Sequence, residues 1–135
     1  MLPDPEKPAQ PALKVLIVDD NRSAAEVLAS ALEVLGQVPR VAFDGNAALE
    51  ALADFAADLV ILDIGLPGMD GFDVARAIRA NPASRSVHIV ALSGWGRPED
   101  RRLAAEAGFD RHFSKPIGLD ELEQMLDATR ARLRA

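Results

Sequence analysis

Short apolar segments that alternate with segments of helical periodicity are the feature that most constrains how this chain can fold. The segments Lys14–Val18 and Leu59–Leu62 are apolar runs of strand length, which is typical of strands buried on both faces of a sheet. Three further segments are strand-like: Val38–Phe43, His88–Leu92 and Arg111–Ser114. Apolar residues recur at helical spacing between these segments and after the last one, which predicts that strands and helices alternate.

Residues that commonly begin or end helices stand at the edges of the helical stretches. A capping box is predicted at Ser23–Glu26 at the start of the first helix, and Gly36 is predicted to end it. The second helix is predicted to start at Asp44-Gly45, and the third to start at Asp70 and end at Asn81-Pro82. The fourth is predicted to start at Pro98 and end at Gly108. The apolar residues along the last helix are Leu119, Leu122, Met125 and Leu126.

Alternation of strands and helices predicts a parallel sheet covered by helices on both faces. The expected fold is a doubly wound (βα)5 α/β sandwich of the flavodoxin-like kind, with a five-stranded parallel sheet. We expect this domain to occupy residues 13–135, after a flexible proline-rich leader at residues 1–12. Ligands of such sheets bind outside the carboxyl ends of the strands, which directs attention to the residues there.

Composition narrows the classes of function. The formal net charge of −6 argues against a nucleic-acid surface, which would show a basic patch or stripe. No apolar stretch approaches the length of a membrane span, and the proline-rich start lacks the core of a signal peptide. The absence of cysteine agrees with a reducing compartment. We therefore expect a cytoplasmic domain that binds neither nucleic acid nor membrane.

The predicted strand ends carry chemically active side chains. Asp19 and Asp20 follow the first strand, Asp63 the third, Ser93 the fourth and Lys115 the fifth. Three carboxylates brought to one sheet edge repel each other, and a single ammonium group balances only one of them. A hard divalent cation with oxygen ligands would balance the rest, and Mg²⁺ suits a site with few protein ligands.

The same residues suit phosphoryl chemistry. A carboxylate can act as a nucleophile toward phosphorus, and Asp63 is the best candidate because it closes the central apolar strand. A metal ion and the Lys115 ammonium would offset charge on the phosphoryl oxygens, while the Ser93 hydroxyl could donate a hydrogen bond to the product. Asp19 and Asp20, adjacent on another strand end, are the candidate metal-binding pair.

Each of these residues also has an ordinary structural interpretation. Asp19-Asp20-Asn21 could cap the first helix, and Asp63 could be a turn residue. Ser93-Gly94 could be ordinary loop residues, and Lys115 could lie on the solvated surface. The required residue type stands at all four strand ends, however, and this combination favours a shared site.

The sequence resembles the bacterial response-regulator receiver family from about Lys14 to the last helix. The segments that carry the resemblance are Val15–Asn21, Leu62–Gly71, Ala91–Gly94 and Phe113–Pro116. The resemblance implies a switch in a two-component phosphorelay. A histidine kinase or a histidine phosphotransfer protein would supply the phosphoryl group, and the chain would catalyse only its own phosphorylation and dephosphorylation.

The resemblance also implies roles for single residues. Asp63 would be the phosphoacceptor, and Asp20 would bind Mg²⁺ together with Asp63 and the backbone carbonyl of Gly65, with Asp19 acting through water. The remaining implied roles are Ser93 as the switch hydroxyl, Lys115 as the partner of the phosphoryl group, Gly94 as an open rim for the donor, and Pro116 as the second residue of a cis peptide bond.

Two residues near the predicted site allow two interpretations each. His112 stands where the family often has Tyr or Phe, and it is either a surface residue or the side chain that rotates with Ser93 and makes the switch pH-sensitive. Trp95 is either an exposed loop aromatic or a group that shields the phosphoaspartate or contacts a partner.

Several functions remain open from the sequence. A downstream protein would bind through the face built on the fourth helix, fifth strand and fifth helix, and the chain would be a monomer or weak homodimer. One alternative is a Mg²⁺-dependent phosphohydrolase with an aspartyl nucleophile, although Ile64-Gly65 replaces the second carboxylate that it needs. Another is a receiver-like module that signals without phosphorylation. A flavodoxin-type cofactor site is excluded because Asp19-Asp20-Asn21 would repel a phosphate.

Overall fold

The computed structural model of the protein describes residues 11–65, 70–94 and 98–134. Strands and helices alternate along the chain, as the periodicity predicts. The elements are β1 (Lys14–Val18), α1 (Arg22–Val34), β2 (Val38–Ala42), α2 (Gly45–Asp54), β3 (Leu59–Asp63), α3 (Gly71–Ala80), β4 (His88–Ser93), α4 (Pro98–Ala107), β5 (Arg111–Ser114) and α5 (Leu119–Arg134).

All strand pairs are parallel, and the five strands lie in the order β2-β1-β3-β4-β5. The chain crosses from β2 over β1 to reach β3, so β1 and β3 are neighbours although they are not consecutive. Val18 pairs with Leu62, which sets the carboxyl ends of these two central strands side by side. This arrangement confirms the predicted doubly wound fold, and it creates the crevice where such sheets bind ligands.

The two faces of the sheet are packed by separate hydrophobic clusters. Leu16 and Leu62 point to the face covered by α2, α3 and α4, whereas Ile17 and Ile61 point to the face covered by α1 and α5. Every residue of β3 is buried. The unbroken apolar runs therefore occur because successive side chains enter two different cores.

The first helix begins earlier than the capping box predicts. Asn21 is the N-cap, with its side chain accepting a hydrogen bond from the Ala24 N–H at 3.0 Å, so the prediction of Ser23–Glu26 as the cap is wrong. Gly36 does end the helix, with a positive φ of 83°. Its N–H donates to the Glu33 carbonyl, and that of the next residue to Leu32, as in a Schellman motif.

The last helix buries most of its predicted residues. Leu122, Met125 and Leu126 are buried, whereas Leu119, at the first position of α5, is 57% exposed. Trp95 and most of the predicted leader lie outside the described residues. Among the helices that the structure describes, none is both long and apolar enough to cross a membrane.

Candidate functional site

Three carboxylates meet at the carboxyl ends of β1 and β3. Asp19, Asp20 and Asp63 each place a carboxylate oxygen within 4.8 Å of the other two. Asp19 and Asp63 are only 5% and 8% exposed, whereas Asp20 is exposed. The fold thus brings together the three acidic residues that the strand-end pattern selects.

Backbone amides orient the two buried carboxylates. Oδ1 of Asp19 accepts a hydrogen bond from the Asn21 N–H at 3.0 Å, and Oδ1 of Asp63 accepts one from the Gly65 N–H at 2.9 Å. The capping interpretation therefore holds for Asn21, while Asp19 makes a local turn with one oxygen only. In both residues the second oxygen is directed toward the same cation.

That cation is Lys115. Its Nζ lies 3.0 Å from Oδ2 of Asp63 and 3.2 Å from Oδ2 of Asp19. The lysine side chain is about one-third exposed, so the interpretation of Lys115 as a solvated surface residue is wrong. The Lys115–Pro116 peptide bond is cis.

The electrostatics of the site follow from this arrangement. Burial raises the pKa of Asp19 above its ordinary value, against the lowering effect of the Asn21 amide and of Lys115. Burial alone would lower the pKa of Lys115, but the hydrogen bonds and charges of Asp63 and Asp19 raise it overall. Among the described residues, one ammonium therefore faces three acidic groups, so the negative charges of this set outnumber the positive one.

Ser93 and His112 form a separate polar contact beside the carboxylates. Ser93 closes β4 and is 4% exposed, and its Oγ lies 2.9 Å from Nε2 of His112. The backbone carbonyl of Ser93 accepts a hydrogen bond from the Lys115 N–H at 2.8 Å. His112 is half-buried in β5, and this contact gives it a polar partner at the site.

Two glycines shape the backbone around the site. A Cβ at Gly94 would meet no atom of the described residues within 4 Å, so these residues leave this part of the rim open. A Cβ at Gly71 would lie 2.7 Å from the backbone oxygen of Asp63, so only glycine lets α3 start this close to the end of β3. The role of Gly71 was not predicted from the sequence, although its position directly after the N-cap residue Asp70 could have indicated it.

An apolar groove of about 660 Å³ adjoins the site between α1 and the start of α5. Asp19 and Lys115 of the site line it together with the apolar side chains of Val27 and Leu119. Val27, one of the apolar residues at helical spacing in α1, is 70% exposed. This groove was not predicted, because helical periodicity cannot distinguish a buried apolar position from one that lines an open groove.

The donor set fits a hard divalent cation. Carboxylate oxygens from Asp19, Asp20 and Asp63 converge, and the exposed position of Asp20 leaves room for water ligands. A cation of this kind would relieve the repulsion that Lys115 only partly balances.

Comparison with known proteins agrees with this geometry. The family described as the response regulator receiver domain matches residues 15–127. The chain belongs to this family, and it is a receiver domain of two-component systems, a signalling module rather than a metabolic enzyme.

Relatives and solved structures place the chain within the family. It is 40% identical over 121 residues to the DNA-binding response regulator MtrA of Mycobacterium leprae, covering 90% of this chain and 51% of that protein. It is 32% identical over 126 residues to a gliding motility regulatory protein of Myxococcus xanthus, covering 93% of this chain and 16% of that protein. The chain thus spans about half or less of these curated relatives.

One solved structure bears on the metal. The receiver domain of a Pseudomonas aeruginosa PAO1 sensor histidine kinase superposes with a TM-score of 0.80 and 30% identity, covering 87% of this chain and 97% of that one. That structure is described with a magnesium ion coordinated in its active-site cleft.

Proposed function

We propose that this receiver domain accepts a phosphoryl group on Asp63 from a phosphohistidine, with Mg²⁺ bound, and that phosphorylation changes its affinity for a partner protein. The observation that carries the proposal is the Asp63 carboxylate, buried beside two further carboxylates and bonded to Lys115. A nucleophile, a cation for the phosphoryl oxygens and candidate metal ligands are then in one place.

The transfer balances without a further reactant. An Asp63 oxygen attacks phosphorus, the P–N bond of the phosphohistidine breaks, and the electron pair stays on the imidazole nitrogen. In the return reaction water attacks phosphorus, the bond to the Asp63 oxygen breaks, and phosphate and the free carboxylate remain. We regard this self-phosphorylation and hydrolysis as the chain's only chemistry.

The chain's own residues assist at stated atoms. Nζ of Lys115 contacts Oδ2 of Asp63 and would offset charge on a phosphoryl oxygen there. The Ser93 hydroxyl is the donor proposed for another phosphoryl oxygen. Asp19, Asp20, Asp63 and the Gly65 carbonyl would hold Mg²⁺, which supplies charge stabilisation to the phosphoryl group when bound.

The groove supports a protein donor. An apolar groove whose lining includes Asp19 and Lys115 suits a helix of a histidine kinase or phosphotransfer protein, whose histidine would then reach Asp63. Val27, 70% exposed, and Leu119, 57% exposed, supply the apolar contacts. The net charge of −6 supports partners other than nucleic acid.

The output side is proposed from the family resemblance. The surface of α4, β5 and α5 would bind the downstream protein, and the chain would act in the cytoplasm as a monomer or weak homodimer. The domain would begin near residue 13, where Leu13 is 3% exposed and its N–H is bonded to Gln37.

Intact mass spectrometry after incubation with acetyl phosphate tests the proposal. We expect one phosphoryl adduct that requires Mg²⁺ and is absent from Asp63→Asn. Asp73→Asn is the matched control, because this exposed carboxylate pairs only with Arg76 among the described contacts. If neither acetyl phosphate nor a phosphohistidine protein labels the wild type, the chain signals without phosphorylation and the proposal fails.

A further inference from the structure

The contact between Ser93 and His112 joins the site to β5 through side chains. In the pairing of β4 with β5, Ala91 lies opposite His112 and Ser93 lies opposite Ser114. Ser93 is two residues beyond Ala91, so its side chain is on the same face and is the diagonal neighbour of His112. The 2.9 Å separation of Oγ from Nε2 is a hydrogen bond made across this diagonal.

A serine hydroxyl has one proton to donate. If that proton is directed to Nε2 of His112, it cannot at the same time be donated to a phosphoryl oxygen. A neutral imidazole carries one bare nitrogen, which accepts such a hydrogen bond. The described hydrogen bonds of Asp63, by contrast, come from Gly65 and Lys115. The contact with His112 therefore engages the hydroxyl that the proposed chemistry requires.

We propose that His112 is a positioning residue that accepts the Ser93 hydroxyl proton in a hydrogen bond and so holds this hydroxyl in the unphosphorylated state. Ser93 gives up this bond when it donates to a phosphoryl group on Asp63. The effect on phosphorylation rests on the proposed function, whereas the hydrogen bond between Ser93 and His112 in the unphosphorylated state does not. His112 thereby opposes phosphorylation by the strength of one hydrogen bond.

Crossed variants test the proposal through the rate of labelling by acetyl phosphate with Mg²⁺. His112→Phe keeps the ring bulk but removes the acceptor, so it should label roughly 2- to 10-fold faster, the range that one net hydrogen bond allows. His112→Gln places an acceptor oxygen near the position of Nε2 and should label at nearly the wild-type rate. In a Ser93→Ala background, His112→Phe should have no effect, because the two residues then no longer interact.

The opposite results are equally clear. If His112→Phe accelerates labelling equally in the Ser93→Ala background, His112 does not act through Ser93. If His112→Phe alone is labelled more slowly than the wild type or at the same rate, the proposed restraint of the Ser93 hydroxyl by His112 is refuted. A wild type that takes up no phosphoryl group would refute the proposed function instead. In that case ¹⁵N NMR of the His112 ring still decides the contact: a bare Nε2 that shifts in Ser93→Ala supports it, and a protonated Nε2 overturns it.

Discussion

Replacing Asp20 with asparagine should stabilise the metal-free protein, although Asp20 belongs to the proposed metal site. An oxygen of its exposed carboxylate lies within 4.8 Å of oxygens of Asp19 and Asp63. Like charges at this separation repel by about 0.9 kcal/mol in water and by about 3.5 kcal/mol at an effective dielectric constant of about 20. Lys115 offsets one of the two partner charges, so one repulsion remains. Because Asp20 is exposed, the free energy of unfolding should rise by about 1 kcal/mol.

Urea denaturation at neutral pH and low ionic strength, in EDTA and in Mg²⁺, measures both effects. Mg²⁺ should stabilise the wild type by about 1.4 kcal/mol for each tenfold excess over Kd, and it should stabilise Asp20→Asn far less. Asp73→Asn is the control, because the Asp73 carboxylate pairs at the surface with Arg76. The free energy of unfolding of this variant should fall by no more than about 0.5 kcal/mol, and its stabilisation by Mg²⁺ should equal that of the wild type. An Asp20→Asn protein that is less stable in EDTA, or equally stabilised by Mg²⁺, would refute the reasoning.

Two further predictions concern other parts of the molecule. Burial lowers the pKa of His88, so below the ordinary value of 6.5 the unfolded state binds more protons than the folded state. The free energy of unfolding should therefore fall with decreasing pH by up to about 1.4 kcal/mol per pH unit. His88→Gln should reduce this slope in urea denaturation, and an unchanged slope would contradict the assignment of the pH dependence to His88. Val27→Asp should slow transfer from a phosphohistidine protein but leave labelling by acetyl phosphate unchanged, because Val27 lines the groove beside the site. Val34→Asp, on the same helix at an 87% exposed position outside the groove lining, should have no effect on either reaction, and equal slowing by both variants would exclude the groove as the docking surface.

The positions of the acidic residues and of Lys115 could be predicted because a parallel sheet brings the carboxyl ends of its strands to one edge. Once the strands are recognised from their apolar runs, Asp19 and Asp63 must lie close together. The pairing of Val18 with Leu62 makes this convergence visible. The conclusion that Asp19 and Asp63 lie close together does not depend on the positions of the intervening helices.

Details that depend on competition or on strand register could not be predicted. Asn21 and Ser23 are both good N-cap residues two positions apart, and only the path of the chain after β1 selects Asn21. The contact of His112 with Ser93 requires the register of β5 against β4, which the sequence does not contain. Helical spacing likewise does not distinguish buried apolar residues from those that line a groove, and Val27 and Leu119 are exposed there.

Among the side-chain contacts that the structure describes, two routes would carry a change at Asp63 to β5. Lys115, directly after β5, is bonded to Asp63 through its side chain, and its backbone N–H is bonded to the Ser93 carbonyl. The second route runs from the Ser93 hydroxyl to His112, within β5. A phosphoryl group that recruits both Lys115 and Ser93 would therefore alter two contacts of the same strand at once. A partner that binds over β5 can distinguish the two states only through such differential contacts, so the loss of one route should weaken the switch and the loss of both should abolish it.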